Sequence, residues 1–336
     1  MLVTILTEGE IRQCVDMDQE AIAVVGDGFT RLANGQATIP PIMRVDIPEN
    51  RGEVDVKTAY LRGRDSFAIK IASGFFENYL LGLPSGSGMM VLVSSKTGVP
   101  EAVLLDNGYL TNVRTGAAGA VAARYLAREK IDTAGVIGSG TQARYQMVGL
   151  KLVRDFQKLM VYGIVSDEVE QYASEMGPML GVDIVKAKDA ETVVRGSDVV
   201  VTATPSRDPY LRAEWLHPGL HITAMGSDAE EKQELCADTL TRADLLSCDL
   251  KSQCFRLGEL HHGLEEGTIY QDDEIIELGE LTSGRKQGRT HGEQITICDL
   301  TGVGVQDTVI ALLAYRKAVE KGLGIQIEFS EGEARG

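Results

Sequence analysis

No run of about 18 apolar residues occurs in the sequence, so no segment is expected to span a membrane. The opening stretch MLVTILTEGEIRQ lacks a basic leader region and turns acidic at once, which argues against a signal peptide and predicts a cytoplasmic protein. Cysteine is sparse: Cys14, Cys236, Cys248, Cys254 and Cys298 are odd in number, widely spaced and form no C-x-x-C pair. A disulfide framework or zinc site is therefore not expected, and reduced thiols are. The pair His261-His262 is expected to lie in a polar surface loop and not to bind a metal. Positive charge is also short, with 33 Lys and Arg against 49 Asp and Glu, a formal net charge of −16. That balance excludes a nucleic-acid surface and docking on anionic lipid. It leaves room for a small anionic ligand, because a few local cations and helix amino termini outweigh a global field. There is no internal repeat and no low-complexity linker.

What is present is a protein of 336 residues, 43% of them hydrophobic, enough for about two packed domains. Residues 7–35 carry helical signals, with Thr7 and Glu10, and Asp16 and Gln19, spaced as capping boxes, and Gly35 closing the pattern. From Pro40 to about Leu105 the runs MRVDI, GEVDVKTAYL, FAIKIAS, MMVLVSS and EAVLL predict an antiparallel sheet. A small-residue helix follows at 110–127. The rhythm then becomes strand–helix–strand, through TAGVIG, a helix at 141–153, LMVYGIV, a helix at 167–177, VDIVKA, SDVVVTAT, HITAM and ADLLSCD, which predicts a doubly wound parallel sheet. A last helix is expected at about 306–321, and the polar tail FSEGEARG is expected to be loose. The expected fold class is α/β, a Rossmann-type doubly wound parallel sheet plus an α+β amino-terminal domain for substrate binding and dimerisation. The predicted boundaries are 1–125 with 307–336 for that domain and 126–306 for the dinucleotide-binding domain.

The stretch VIGSGTQA supplies the cofactor argument. In Gly138-Ser139-Gly140-Thr141-Gln142-Ala143 the first glycine permits a tight strand-to-helix turn and the second lets backbone N–H groups approach a pyrophosphate. The small third residue lets helix and strand pack closely. Alone the motif is also compatible with a turn that binds nothing; here it follows an apolar strand and opens a helix. No arginine follows the second strand, in VYGIVSD, so a 2′-phosphate lacks its usual partner and NADH is favoured over NADPH. Asp167 lies a few residues late for a ribose hydroxyl and is equally a helix cap. A short-chain dehydrogenase would normally carry Tyr-x-x-x-Lys, which is absent.

Scattered pieces then fall into one order: Arg44 in PPIMRVDI, Lys70 in FAIKIASGFFEN, GLPSG at 82–86, Arg114 in LTNVRTGAAG, Asp228 in ITAMGSDAEEKQEL and DLTGVGVQD at 299–307. Around a central G-x-G-x-x-A this set resembles the ornithine cyclodeaminase/μ-crystallin family, and within it the ketimine-reducing members. The resemblance runs from about residue 5 to 321. It implies a homodimer whose amino-terminal sheets pair, with a Rossmann domain on each flank. It also implies an NAD-dependent oxidoreductase acting on a small imino or keto acid. Arg44, Lys70 and Arg114 match residues that grip the substrate α-carboxylate, which a bidentate arginine fork and a lysine point charge suit. Asp228 matches the residue that contacts the reacting nitrogen and moves its proton, with Lys70 beside the reaction. Further cofactor contacts are expected at Thr115, Thr204, Met225, Gly226 and Val303.

True ornithine cyclodeaminases carry a glutamate on the strand before Lys70, where this sequence offers Asp55 or Lys57. Lys57, Ser85 and Ser87 suit a second acidic arm, so the expected reaction is iminosuccinate to aspartate. Ornithine cyclodeaminase and a non-catalytic crystallin-like binder are the alternatives. The resemblance places the three cations in a cleft beside the nicotinamide.

Overall fold

The computed structural model describes residues 1–75 and 77–329. The protein opens with β1 (Leu2–Thr7), α1 (Glu8–Arg12), α2 (Gln19–Ala33), β2 (Ala37–Thr38) and β3 (Met43–Ile47). Then come β4 (Gly52–Leu61), β5 (Ser66–Phe75), β6 (Gly86–Ser94), β7 (Pro100–Leu105) and α3 (Tyr109–Leu126). Next follow β8 (Thr133–Ile137), α4 (Thr141–Val153), β9 (Lys158–Tyr162), α5 (Ser166–Leu180), β10 (Asp183–Lys186), α6 (Ala190–Gly196), β11 (Val199–Thr202) and β12 (His221–Ala224). The last third holds β13 (Leu245–Cys248), α7 (Lys251–Leu257), α8 (Glu259–Glu265), β14 (Ile275–Glu277), α9 (Leu278–Thr282), β15 (Thr296–Asp299), α10 (Gly304–Glu320) and β16 (Ile325–Glu328).

Two compact units result. The first comprises 1–16, 23–114 and 303 onward, the second 17–22 and 115–302. In the first unit one sheet runs β16-β1-β7-β6-β5-β4-β2, with β3 also on β4. The runs predicted as strands pair antiparallel from β3 to β7. The sheet is mixed and not purely antiparallel, because β1 joins β7 in parallel. That strand is hidden in the sequence, where MLVTILT runs straight into a helix start.

The Thr7–Glu10 capping box is present, with the Thr7 N–H donating to Glu10 Oε2 at 2.9 Å. The second cap differs from expectation: Asp18, not Asp16, accepts from the Ala21 N–H at 2.8 Å, because α2 begins at Gln19. Inside the unit α10 packs on β4 and β5, where Thr308 Oγ1 donates to the Ala59 carbonyl at 2.8 Å.

In the second unit eight parallel strands follow the order β10-β9-β8-β11-β12-β15-β13-β14. Every residue of β8, β11, β12 and β15 is buried, as expected of strands covered on both faces. The strand order reverses between β8 and β11, the switch point of a doubly wound sheet, outside which such folds take their ligands. His261 and His262 lie on α8 and not in a loop, half-buried on its flank. The five cysteines are free. Among the described residues no helix is long and apolar enough to cross a membrane. Of the tail, residues 330–336 lie outside the described residues.

Candidate active site

The first unit brings buried cations to one face of its sheet. Directly paired residues of antiparallel strands point to the same side, and so do residues two apart on one strand. Arg44 opposes Asp55, Lys57 follows two residues on, and Lys57 opposes Lys70. Of Asp55 and Lys57, it is the lysine that stands directly across from Lys70.

Lys70 is 2% exposed and Asp307, in the first turn of α10, fully buried. Lys70 Nζ lies 3.2 Å from Asp307 Oδ2. Arg114 Nε lies 3.0 Å from Asp307 Oδ1, off the N–H axis, so this is a charge contact more than a directed hydrogen bond. Arg114 also donates from NH1 to Gln306 Oε1 at 3.0 Å. Gln306 Oε1 accepts from the Val303 N–H at 3.1 Å as well, which fixes its amide orientation and leaves the buried Nε2 without a partner.

Arg114 owes its place to the start of α3. Asp106 Oδ2 caps that helix by accepting from the Leu110 N–H at 2.8 Å, after a turn that needs left-handed backbone at Asn107 and Gly108. Burial pushes the Asp106 carboxyl up to about 6. Burial pulls Lys70 down to about 7, opposed by the Asp307 carboxylate and helped by Arg114 and Lys57. Asp307 is held below the usual carboxylate range: Lys70, then Arg114 and Lys57, outweigh its burial.

Two expected members stand apart. Arg44 shares the sheet face but is engaged by acids, with Asp46 at 2.9 Å, Glu53 in closer contact, and Asp55 at 4.0 Å. Ser85 is exposed at the far end of the hairpin; β6 pairs Met90 with Lys70, which leaves Ser85 five residues farther along. Ser87 donates to Asn107 at 2.9 Å. Asp307 and Gln306 are the members that residue type alone does not single out. Their signal is the phrase DLTGVGVQD, where two polar residues sit in the buried first turn of the last long helix.

The second unit holds the fingerprint. Gly138 has φ of +110°, and a Cβ there would lie 2.5 Å from the Ala203 carbonyl, so only glycine fits the end of β8. At Gly140 a Cβ would meet nothing within 4 Å, which leaves open space over the start of α4. The start of α4 has no capping side chain, Arg144 binds the Ser139 and Gly140 carbonyls, and a helix amino terminus of this kind suits an anion such as a pyrophosphate. Residues 138–143 therefore fit a dinucleotide. Ser139 and Ala143 are buried behind the turn, and Thr141 and Gln142 open the helix. The Thr115 carbonyl accepts from Gln146 Nε2 at 2.8 Å.

A cavity of about 250 Å³ follows β9, lined by Tyr162, Gly163, Ile164, Ser166, Glu170, Lys186 and Lys188. As expected from the sequence no arginine follows β9, yet this end of the sheet does carry cations. Lys186 and Lys188 arrive from the neighbouring β10, which the residues after β9 do not reveal. Lys186 is paired with Glu170. Asp167 is an exposed first-turn residue of α5 and not its cap, a place held by Val165.

Past β12 the Met225 N–H donates to the Thr202 carbonyl at 3.2 Å and the Asp228 N–H to the Gly226 carbonyl at 3.1 Å. No helix starts after Asp228, so capping does not account for it. Its Oδ1 lies 2.7 Å from Lys232 Nζ. His261, His262 and Glu265 hold ligand atoms within 4.8 Å of one another; this candidate cation site is empty, and His262 Nε2 donates to the Lys232 carbonyl at 2.8 Å.

Known proteins place these features in context. The profile described as the ornithine cyclodeaminase/mu-crystallin family matches residues 3–322. A putative dehydrogenase of Rhizobium meliloti (strain 1021) is 51% identical over 324 residues, covering 96% of this protein and 98% of the relative. The structure of Thermococcus litoralis Δ1-pyrroline-2-carboxylate reductase in complex with NADH and L-proline superposes with a TM-score of 0.91 at 32% identity, covering 96% of this protein and 99% of that one. Iminosuccinate reductase of Paracoccus denitrificans in complex with NAD+ shows a TM-score of 0.89 at 28% identity, covering 98% and 100%. The mixed α/β fold with its Rossmann-like parallel sheet matches these structures.

The Lys70 environment generates a pH prediction. A lysine with a pKa of about 7 is charged below that value and neutral above it, so its contribution to carboxylate binding is present at low pH and lost as pH rises through 7. Affinity for a small 2-oxo acid, titrated calorimetrically from pH 6 to 8.5, should fall across this window. In Lys70→Arg, whose guanidinium stays charged, the fall should vanish. Superimposable profiles for the two proteins would remove Lys70 from the binding site.

Proposed function

This protein belongs to the ornithine cyclodeaminase/μ-crystallin family, and from that premise we propose that it is an NADH-dependent imine reductase. It converts an α-imino acid to the amino acid, with iminosuccinate going to aspartate as the leading substrate. One observation carries the reading: Lys70 and Arg114 are buried against one carboxylate, Asp307, so with Lys70 protonated these three groups carry an excess positive charge. Uncompensated buried charge is costly, and an anionic substrate group offsets it. Arg114 and Lys70 bind the α-carboxylate, and the free Gln306 Nε2 is a further donor in the same cluster.

Bound NADH supplies the hydride that the imine carbon receives. Asp228 manages the proton of the reacting nitrogen: as the carbon gains hydride, the nitrogen ends with one more hydrogen than the neutral imine carried. Lys232 Nζ, 2.7 Å from Asp228 Oδ1, orients that side chain. Lys57, 6% exposed and directly across from Lys70, supports a substrate with a second carboxylate. The L-proline bound to the Thermococcus relative supports the other reading, a cyclic imine.

NADH is favoured over NADPH because no arginine follows β9 and Lys186 is already paired with Glu170. The proposal includes a homodimer. Met43 and Val45 on β3 are 58% and 50% exposed, an apolar strand face that a second copy would cover.

An NADH-oxidation assay with ammonia and a panel of 2-oxo acids, alongside Δ1-pyrroline-2-carboxylate, tests the substrate. Stoichiometric NADH consumption should be fastest with oxaloacetate, and kcat/KM should be lower with NADPH. Release of ammonia from ornithine with only catalytic NAD would replace the reductase with a cyclodeaminase; preference for the cyclic imine would replace the dicarboxylic substrate. Asp228→Asn should bind NADH with nearly unchanged Kd and lose about 10²–10⁴-fold in kcat, the span usual for a general acid–base group. Near-normal turnover would assign the proton route elsewhere.

A further inference from the structure

Apart from the fingerprint and the Asp228 loop, the second unit buries an anion that the mechanism does not use. Glu234 is fully buried between β12 and β13, and its carboxylate accepts five hydrogen bonds. Oε1 takes the Thr204 N–H and Oγ1, both at 2.7 Å, and the Tyr210 hydroxyl at 2.9 Å. Oε2 takes the Thr202 hydroxyl at 2.6 Å and the Gly226 N–H at 2.8 Å. Thr202 ends β11, Thr204 lies two residues on, and Gly226 lies two residues past β12. One carboxylate therefore ties together the carboxyl ends of two adjacent parallel strands.

The tie extends to the fingerprint. Gly138 sits so close to the segment Glu234 holds that a Cβ would approach the Ala203 carbonyl to 2.5 Å. Gly226 has even less room, with a hypothetical Cβ 2.2 Å from the Thr204 carbonyl. Glu234 is itself fixed, because its N–H donates to Glu259 Oε1 at 2.9 Å and its carbonyl receives the Tyr210 and Leu211 N–H groups at 3.0 Å.

Burial pushes the Glu234 carboxyl up, and all five partners donate to it, which works in the other direction and favours the ionised form. Among the described residues no cation pairs with it. Burial, and then the neighbouring Glu234, push the Glu259 carboxyl well up. Ionised groups buried without a counter-charge are costly and concentrate at functional sites.

The position of Glu234 sets which ligand charge it faces. In a doubly wound fold the glycine turn and the second strand take the pyrophosphate and the adenosine ribose. That assigns β8 and β9 to one half of a dinucleotide and leaves the ends of β11 and β12 for the nicotinamide half. Resting on NADH as the cofactor, we propose that Glu234 is the positioning residue of that half: it fixes the ends of β11 and β12, and its uncompensated charge favours the cationic ring of NAD+ over the neutral ring of NADH. Favouring the oxidised ring draws hydride from the reduced cofactor toward the imine, the direction of the proposed reaction.

The test compares Kd values for NAD+, NADH and ADP-ribose, which lacks the nicotinamide, in wild type and Glu234→Gln. The variant should weaken NAD+ by about tenfold relative to NADH, the order of one charge–charge interaction in a protein interior. ADP-ribose should change by less than about threefold, which a general loosening of the fold would not permit. If the variant does not fold, Tyr210→Phe and Thr202→Val each remove one donor, and each should weaken NAD+ relative to ADP-ribose by a few-fold. Wild-type ratios in the variants that fold, or equal losses for all three ligands, overturn the proposal. A wild-type protein that binds none of the three overturns the assignment of the cofactor, and this proposal with it.

Discussion

Asp307 is buried beyond reach of water, and both of its oxygens face cations that are buried as well. Taking three charged groups out of solvent is expensive, and removing one member of such a set typically costs about 3–5 kcal/mol because the others are left uncompensated. A fold optimised for stability alone would have apolar residues here. The cluster has the features of a receptor prepared in advance: directional donors held by β5, α3 and α10, with positive charge in excess of the carboxylate that anchors them. Much else in the first unit serves this arrangement. The Asp106 cap fixes where α3 begins and so where Arg114 points, and the Thr308 hydroxyl pins α10 to the β4 backbone one residue beyond Asp307.

The second unit solves a related problem with the opposite sign. Its parallel strands end in backbone N–H groups and hydroxyls that need partners, and Glu234 supplies them from inside, itself held by Glu259. Asp249 does the same for the turn after β15, accepting the Thr301 and Gly302 N–H groups at 3.0 and 2.7 Å. These buried carboxylates keep the loops at the ligand end of the sheet in one conformation, which a dinucleotide site requires.

The parts legible in the sequence are those set by local chemistry. Short β-rich runs marked β3 to β7, and VIGSGTQA marked the turn from β8 into α4. The small-residue helix fell within one residue of α3, and Lys70, Arg114 and Asp228 stood out as charges in apolar or glycine-rich phrases. What escaped was set by distant partners. Arg44 is answered by Glu53 and Asp55 from the next strand, a pairing that only register reveals. Lys186 reaches the cavity after β9 from β10, the neighbouring strand. For the stretch 250–295 the sequence analysis names no element, yet α7, α8, β14 and α9 form there, and β14 closes one edge of the parallel sheet by pairing with β13. Asp307 looks like a surface acid in a helix until Lys70 and Arg114 are brought against it.

If Lys70 and Arg114, anchored on Asp307, act on one substrate carboxylate, their effects must be coupled. A double-mutant cycle tests this most directly: kcat/KM for the imine and Kd for NADH in Lys70→Ala, Arg114→Ala and the double variant. Losing one desolvated contact to a carboxylate should cost roughly 2–5 kcal/mol. The double variant should fall far short of the summed losses, because the partners share one ligand group. NADH affinity should stay nearly constant throughout. Additive losses, or a parallel collapse of NADH binding, would place the two cations in separate structural roles and contradict the account.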